Sequence, residues 1–171
     1  MKGNTFVIML LTFALIFGAT LWYFQNYAYY EKNDINEIKV TSIKTGFEVD
    51  VELDEIKSIN SVTSPLKFRS CLKISSSALK KIDDYLVYQN GTPLRAPSWF
   101  KCFNVKNITN DLQSGKAVAY LSKANIEYGI DRVLAIYPGG LAYAWHQINS
   151  CGSAAFSGET LPTDCPSNES E

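Results

Sequence analysis

Four cysteines are the residues of this chain with the most distinctive chemistry. They are even in number, far apart in the sequence, and outside any Cys-x-x-Cys pair: Cys71, Cys102, Cys151 and Cys165. In an oxidising compartment such a set forms two disulfides, whereas redox pairs and zinc sites usually have close spacings that this sequence lacks. We therefore predict structural disulfides. A labile redox pair, a metal site and free thiols are the alternatives.

Four cysteines allow three pairings, and the sequence favours one of them. Cys71–Cys102 would tie a predicted strand to the loop that contains Trp99, and Cys151–Cys165 would hold the C-terminal tail to the end of the last predicted strand. Each crosslink would stabilise the domain by about 2–4 kcal/mol, because it restricts the unfolded chain.

The single histidine, His146, is the next candidate for chemistry, and no second histidine exists to form a catalytic pair with it. In the predicted strand Leu141–Ile148 it lies on a small apolar face with Ala142, Ala144 and Ile148. This setting favours a structural histidine that is hydrogen-bonded to the backbone over a catalytic one. If His146 were buried beside Glu127 or Asp131, it could instead titrate near neutral pH and be functional.

The acidic residues form no evident catalytic pair. Glu127 and Asp131 flank a predicted turn, and Asp83 and Asp84 are adjacent in the sequence, so we interpret all four as solvated surface. Paired-carboxylate catalysis would require two of them to converge across a cleft. From the sequence we assign no catalytic residue, no metal and no cofactor.

Two further groups of residues are candidates for binding rather than chemistry. Trp99 and Phe100 lie in a loop that Pro93 and Pro97 keep out of regular structure. Aromatic side chains on rigid loops often contact protein partners, although packing against Cys102 would also explain them.

Alternation in the strand after Pro65 predicts an exposed basic face, whose members are Lys67, Arg69 and Lys73. Acidic partners or lipid head groups are the alternative ligands of this face.

The N-terminal segment indicates where these groups are held. Gly3–Tyr30 contains no charged residue and Phe6–Phe24 is almost purely apolar. A bilayer core about 30 Å thick requires about 20 apolar residues, so this segment predicts one membrane-spanning helix, continuing a turn or two past Tyr30. A cleaved signal peptide is the alternative, but its apolar core would be shorter, about 7–15 residues. We favour an uncleaved signal anchor, with the lipid bilayer as the partner of Phe6–Phe24.

The location of the domain follows from the cysteines more than from the charges. Lys2 precedes the apolar segment and Lys32, Lys39 and Lys44 follow it, so basic residues alone do not place the N-terminus inside. Disulfides require an oxidising compartment. We therefore expect a single-pass protein of the inner (cytoplasmic) membrane, with its N-terminus inside and its C-terminal domain in the periplasm.

The remaining residues predict one antiparallel α+β domain with one or two short helices. A hairpin is expected across Gly46 between Ile35–Ile43 and Phe47–Val51, followed by a polar loop, Leu53–Ser64. Asn104 is expected to cap a short helix that Gly115 ends. Later strands are predicted at Ala117–Leu121, Arg132–Tyr137 and Leu141–Ile148. The 16 basic and 17 acidic residues give a net charge of −1, which argues against a nucleic-acid partner.

Several segments together resemble an uncharacterised family of small single-pass membrane proteins of proteobacteria. They are YAYYE after the apolar helix, SPLKFRSCL, APSWFKCF, NIEYGIDRVLAIYP, AWHQINSCG and DCP, and they span nearly the whole chain. The resemblance implies an anchor, a bacterial setting and the cysteine framework. The function of that family is unknown, so the resemblance implies no activity.

We therefore divide the chain into a membrane anchor helix (1–32), an extracytoplasmic α+β domain (33–161) and an acidic C-terminal tail (162–171). The favoured function is that of an interaction or accessory subunit of a membrane or envelope assembly, with a protein partner and no enzymatic activity. One alternative is a periplasmic enzyme or thiol-redox factor that uses His146 or a labile cysteine pair. The other is an outer-face ligand-binding module.

Overall fold

The computed structural model describes residues 3–32 and 35–166. Helix α1, Gly3–Asn26, has 24 residues and buries none of them in the protein. It is the one helix in those two ranges that is long and apolar enough to cross a membrane. The prediction that it continues past Tyr30 is wrong: the helix ends at Asn26, and Tyr29, with a left-handed backbone conformation at φ of 70°, turns the chain into a strand.

An antiparallel six-stranded sheet forms the centre of the domain, in the order β1-β4-β5-β8-β7-β6, and β2 and β3 form a separate hairpin. The strands are β1 Tyr30–Lys32, β2 Ile38–Thr41, β3 Glu48–Val51, β4 Leu53–Ser61, β5 Arg69–Ile74, β6 Val118–Glu127, β7 Ile130–Ile136 and β8 Leu141–Ile148. The short helices are α2 Ser76–Leu79, α3 Val105–Gln113 and α4 Ser150–Ser157, with 3-10 turns at Pro65–Lys67 and Ile82–Asp84. This confirms the predicted fold class.

The main error in the predicted elements concerns β4. Leu53–Ser61 was expected to be loop because it is polar, yet it is a nine-residue strand. Its outer edge pairs with β1 only at Ile59, Asn60 and Ser61, so most of its length lies at the edge of the sheet. Charged side chains are common on edge strands, where they discourage pairing with other chains.

Both faces of the sheet are covered, which gives two apolar cores. The β2–β3 hairpin packs its Ile38, Val40 and Val51 on one face, against residues such as Phe68 and Leu134. On the other face Ile108 of α3 and Phe103 pack against Val133, Ala135 and Trp145. The Asn104 side chain accepts a hydrogen bond from the backbone N–H of Asn107, as expected of the helix cap.

Two disulfides staple this domain, with the predicted pairing. Cys71 and Cys102 join β5 to the Trp99 loop, with their Cα atoms 6.3 Å apart. Cys151 and Cys165 are bonded with a Cα separation of 5.6 Å. The second bond holds the tail to helix α4, which the sequence interpretation missed, rather than to the end of a strand.

The predicted division of the chain stays a prediction. Its boundary between residues 32 and 33 falls beside residues 33 and 34, which lie outside the described residues. Of the predicted acidic tail, residues 162–166 are described and residues 167–171 are not.

Candidate functional site

The end of helix α1 is held directly by the domain. The indole Nε1–H of Trp99 donates a hydrogen bond to the carbonyl oxygen of Asn26 over 2.6 Å. The last four carbonyls of a helix have no partner within it, so an external donor at this position satisfies a group that would otherwise need water. We call this region the helix–domain junction: residues 26–32 together with Trp99 and Lys67.

Aromatic rings extend the contact around Trp99. The Trp99 ring centroid lies 6.3 Å from that of Tyr27 and 6.1 Å from that of Tyr30. Tyr27 in turn packs on Trp22 of the helix at 5.3 Å. Aromatic pairs at these distances stabilise each other beyond simple burial. The predicted interaction residue Trp99 is therefore engaged within its own chain, at the end of the apolar helix.

The loop that carries Trp99 is fixed at several points. Pro93 and Pro97 are buried, and the Pro97 carbonyl accepts a hydrogen bond from the Phe100 N–H. Cys102 is bonded to β5, and Phe100 packs against the second core. The loop therefore packs near the disulfide, as one explanation from the sequence has it, while its role as a contact for a protein partner stays a prediction.

A lysine approaches the same junction from the β4–β5 connection. The Lys67 ammonium lies 5.9 Å from the ring centre of Tyr29 and 5.3 Å from that of Tyr30. It donates a hydrogen bond to the hydroxyl of Thr63. Ammonium groups are attracted to aromatic faces at such distances. These contacts lie beside the left-handed backbone of Tyr29, a conformation that is uncommon for a bulky residue.

His146 lies elsewhere, deep in the first core, and is 3 % exposed. Its Nδ1 is 2.6 Å from the Pro65 carbonyl oxygen, and its Nε2 accepts a hydrogen bond from Nε of Arg132 at 3.0 Å. These partners fit the neutral tautomer that carries its hydrogen on Nδ1. The imidazole also stacks on Phe68 with the ring centres 4.5 Å apart. Both ring nitrogens are therefore occupied by structural contacts.

The electrostatics of His146 keep it neutral. Burial, together with the charges of Arg132 and Arg69, lowers its pKa from 6.5 to about 4, against the opposing effect of its hydrogen bond to the Pro65 carbonyl. The sequence raised the option of a neighbouring Glu127 or Asp131, which would have raised the pKa. That option is wrong. Asp131 lies opposite Gln147 in the β7–β8 ladder, so its side chain is on the other face of the sheet from His146. The charged neighbour of the imidazole is Arg132.

Asp131 was interpreted as solvated surface, and this is also wrong, since it is 6 % exposed. Its carboxylate accepts hydrogen bonds from the Tyr88 hydroxyl, the Asn149 amide and the Asn125 backbone N–H. The network joins three separate segments next to a close backbone contact between Gly129 and Gly152. A Cβ atom on either glycine would overlap the backbone of the other, so this corner of the domain requires glycine at both positions.

The predicted basic face is only partly exposed. Lys73 is exposed as expected, but Arg69 is buried and donates hydrogen bonds to the carbonyls of Leu66, Phe68, Leu94 and Arg95. Burial lowers the pKa of Arg69 to about 10, opposed by nearby Tyr30. Alternation in the sequence correctly placed Arg69 and Lys73 on one face of the strand. It could not show that residues 94–95 cover the Arg69 end of that face.

Comparison with known proteins identifies the domain. Residues 38–166 match the model of a family described as "Family of unknown function (DUF6446)". The chain belongs to this family. The DUF6446 match includes all four cysteines, Trp99, Phe100 and His146, and it begins after helix α1. No curated protein and no solved structure matches the chain.

A groove of about 440 Å³ opens beside the junction of this DUF6446 protein. Trp99 and Phe100 line it together with Ile56 and Ile59 of the β4 edge, and Lys57 stands at its side. Apolar grooves with a few polar groups are typical binding surfaces. Within residues 3–32 and 35–166 no three His, Cys, Asp or Glu side chains meet as a metal site requires. The lining of this groove, with its isoleucines and two aromatic residues, is that of a typical binding surface.

Proposed function

We propose that this DUF6446 protein is a single-pass protein of the bacterial inner membrane, with its N-terminus in the cytoplasm and its domain in the periplasm. The length and apolar surface of α1 support the span. The two disulfides support an oxidising compartment for the domain. A long domain crosses the membrane largely regardless of its charge, so the basic residues after α1 do not oppose this orientation.

Within that membrane we propose that the protein acts as an interaction or accessory subunit of a membrane or envelope assembly. The observation that carries this proposal is the hydrogen bond from Trp99 to Asn26, which ties the domain to the end of the helix. A domain held there keeps the groove of Ile56, Ile59 and Phe100 close to the bilayer surface. The partner that fits is therefore another membrane protein, reaching the groove from the same bilayer.

The first alternative, a periplasmic enzyme or thiol-redox factor, has less support from the contacts. A catalytic role for His146 would require it to release Pro65 or Arg132, the partners of its two ring nitrogens. A thiol-redox role would require reduction of a disulfide, and all four cysteines are paired. No described contact favours either role over binding.

Site-specific photo-crosslinking in intact cells tests this function. A photoreactive residue at Lys57, on the groove, should give one discrete crosslinked product that contains an integral membrane protein. The matched control is Lys106, an exposed lysine on helix α3 that is not among the residues lining the groove. Equal crosslinking from the two positions, or none from Lys57 in a folded and membrane-bound protein, would contradict the proposed partner site.

A further inference from the structure

The β4–β5 connection lies at the same depth as the end of the apolar helix. Tyr29 stacks back on Phe24, with ring centres 5.9 Å apart, and Phe24 is the last residue of the almost purely apolar segment Phe6–Phe24. The Lys67 ammonium is 5.9 Å from the Tyr29 ring. Two successive contacts thus connect Lys67 to the residue at which the apolar surface of α1 ends, where a spanning helix meets the head groups.

The charge of Lys67 has no acidic partner among the described residues. Four ion pairs occur there, and none involves Lys67. Its hydrogen-bond partner, the Thr63 hydroxyl, is neutral. This ammonium lies beside two tyrosine rings and has no carboxylate partner among the described residues, so it is suited to bind the phosphate of a lipid. The phosphate would bind the cation, and the rings would lie at the border of the apolar layer.

An exposed apolar residue adjoins this lysine. Val62 is 81 % exposed and follows Ser61, whose partner across the β1–β4 ladder is Tyr30. The connection therefore presents a branched apolar side chain and a basic one next to the helix end. A single exposed valine is common on a protein surface and is not by itself evidence of a contact. Here the valine lies beside Tyr30 and Lys67 at the helix end, where an exposed apolar side chain would meet the membrane.

We propose that the β4–β5 connection is a second membrane contact of this protein, in which the Lys67 ammonium binds the phosphate of an anionic phospholipid and Val62 inserts beside α1. This inference rests on α1 spanning the membrane, and it adds a lipid site to the partner groove. The occupant is a lipid rather than a protein because the site is continuous with the lipid-exposed surface of α1. Tyr30 separates it from Trp99, which lines the groove.

A thiol label at Val62 tests the depth of the connection. All four natural cysteines form disulfides, so Val62→Cys adds the only free thiol. The full chain is labelled with an environment-sensitive dye and reconstituted in vesicles that contain lipids brominated near the head group. The control is Gly139→Cys in the β7–β8 turn at the opposite end of the sheet, where a Cβ atom meets nothing within 4 Å.

The label at Val62 should be quenched by the brominated lipid, and the label at Gly139 should not. Equal quenching at the two positions would overturn the proposal. Protein that leaves the vesicles in a carbonate wash would instead show that α1 does not span. No quenching at Val62 in protein that stays in the membrane through the wash would mean that the connection does not contact lipid and is open to another partner, which also overturns the lipid assignment.

The role of Lys67 is tested with brominated phosphatidylglycerol diluted into phosphatidylcholine. The fraction of anionic lipid that half-quenches the Val62 label should be about fivefold higher in a Lys67→Gln variant. This is the change in binding expected when one basic residue near an anionic membrane surface is lost. Lys67→Arg should keep the original fraction, which excludes misfolding as the cause. Lys106→Gln is the matched control and should change nothing. An unchanged half-quenching fraction in Lys67→Gln, or the same shift in Lys106→Gln, would overturn the proposal.

Discussion

Lowering the pH from 7 to 5 should destabilise the domain through His146. In the folded protein its pKa is about 4, because burial and the Arg132 charge disfavour the imidazolium, whereas in the unfolded chain the pKa is near 6.5. Between these values the unfolded state binds more protons than the folded state. The stability that the neutral imidazole contributes is therefore complete above about pH 6.5 and is lost as the pH falls towards 4.

The size of this effect follows from the two pKa values. At about 1.4 kcal/mol per pKa unit, the full contribution of His146 is about 3 kcal/mol, of which about 2 kcal/mol is lost between pH 7 and pH 5. The side chain is 3 % exposed, so solvent screens little of it. The ordinary pKa values of carboxyl groups lie below this pH range, so His146 is expected to dominate the change.

Urea unfolding of the full chain in a non-ionic detergent measures this change, with the fluorescence of the fully buried Trp145 as the signal. Wild type should lose about 2 kcal/mol of unfolding free energy from pH 7 to pH 5. His146→Gln should be about 1–2 kcal/mol less stable at pH 7, because a buried hydrogen bond is lost, and nearly insensitive to this pH change. Equal losses in the two proteins would refute the assigned pKa. A His146→Gln protein as stable as wild type that fails in cells would favour a functional histidine.

Three further substitutions test other parts of the structure. Replacing Cys71 and Cys102 together by serine opens a loop of 31 residues and should lower the unfolding free energy by about 4 kcal/mol. A loss below about 1 kcal/mol would contradict a stabilising role of this disulfide. Trp99→Phe keeps a ring but removes the donor to the last turn of α1, so trypsin should cut the junction faster while the urea midpoint stays unchanged. Gly152→Ala places a Cβ atom against the Gly129 backbone and should cost about 3 kcal/mol or more in urea unfolding, and a neutral effect would be inconsistent with that contact.

The sequence predicted those features that depend on local patterns. Alternation over residues 66–74 separated Phe68 and Leu72 from Cys71, and this direction of Cys71 led to the correct disulfide partner. Strand β8 has the predicted bounds Leu141–Ile148, because a tight Gly-rich turn precedes it and its apolar alternation is regular. These signals lie within a few residues of the elements they specify.

Features that depend on distant partners could not be predicted in this way. Trp99 binds Asn26 from 73 residues away, and nothing near either residue indicates the other. Asp131 is buried because Tyr88 and Asn149 supply donors from separate segments, whereas its local sequence resembles a surface turn. Polar β4 is a strand because it pairs with β5 and, over three residues, with β1, so its place in the sheet is set by its partner strands rather than by its own pattern.

The topology of the full chain is the most direct test of the proposed membrane-anchored periplasmic domain. Two reporters are fused after Glu171, one that is active only in the periplasm and one that is active only in the cytoplasm. The proposal predicts activity of the periplasmic reporter, no activity of the cytoplasmic one, and recovery of both fusions in the membrane fraction. Activity of the cytoplasmic reporter alone would contradict the location of the domain and the compartment that its disulfides require.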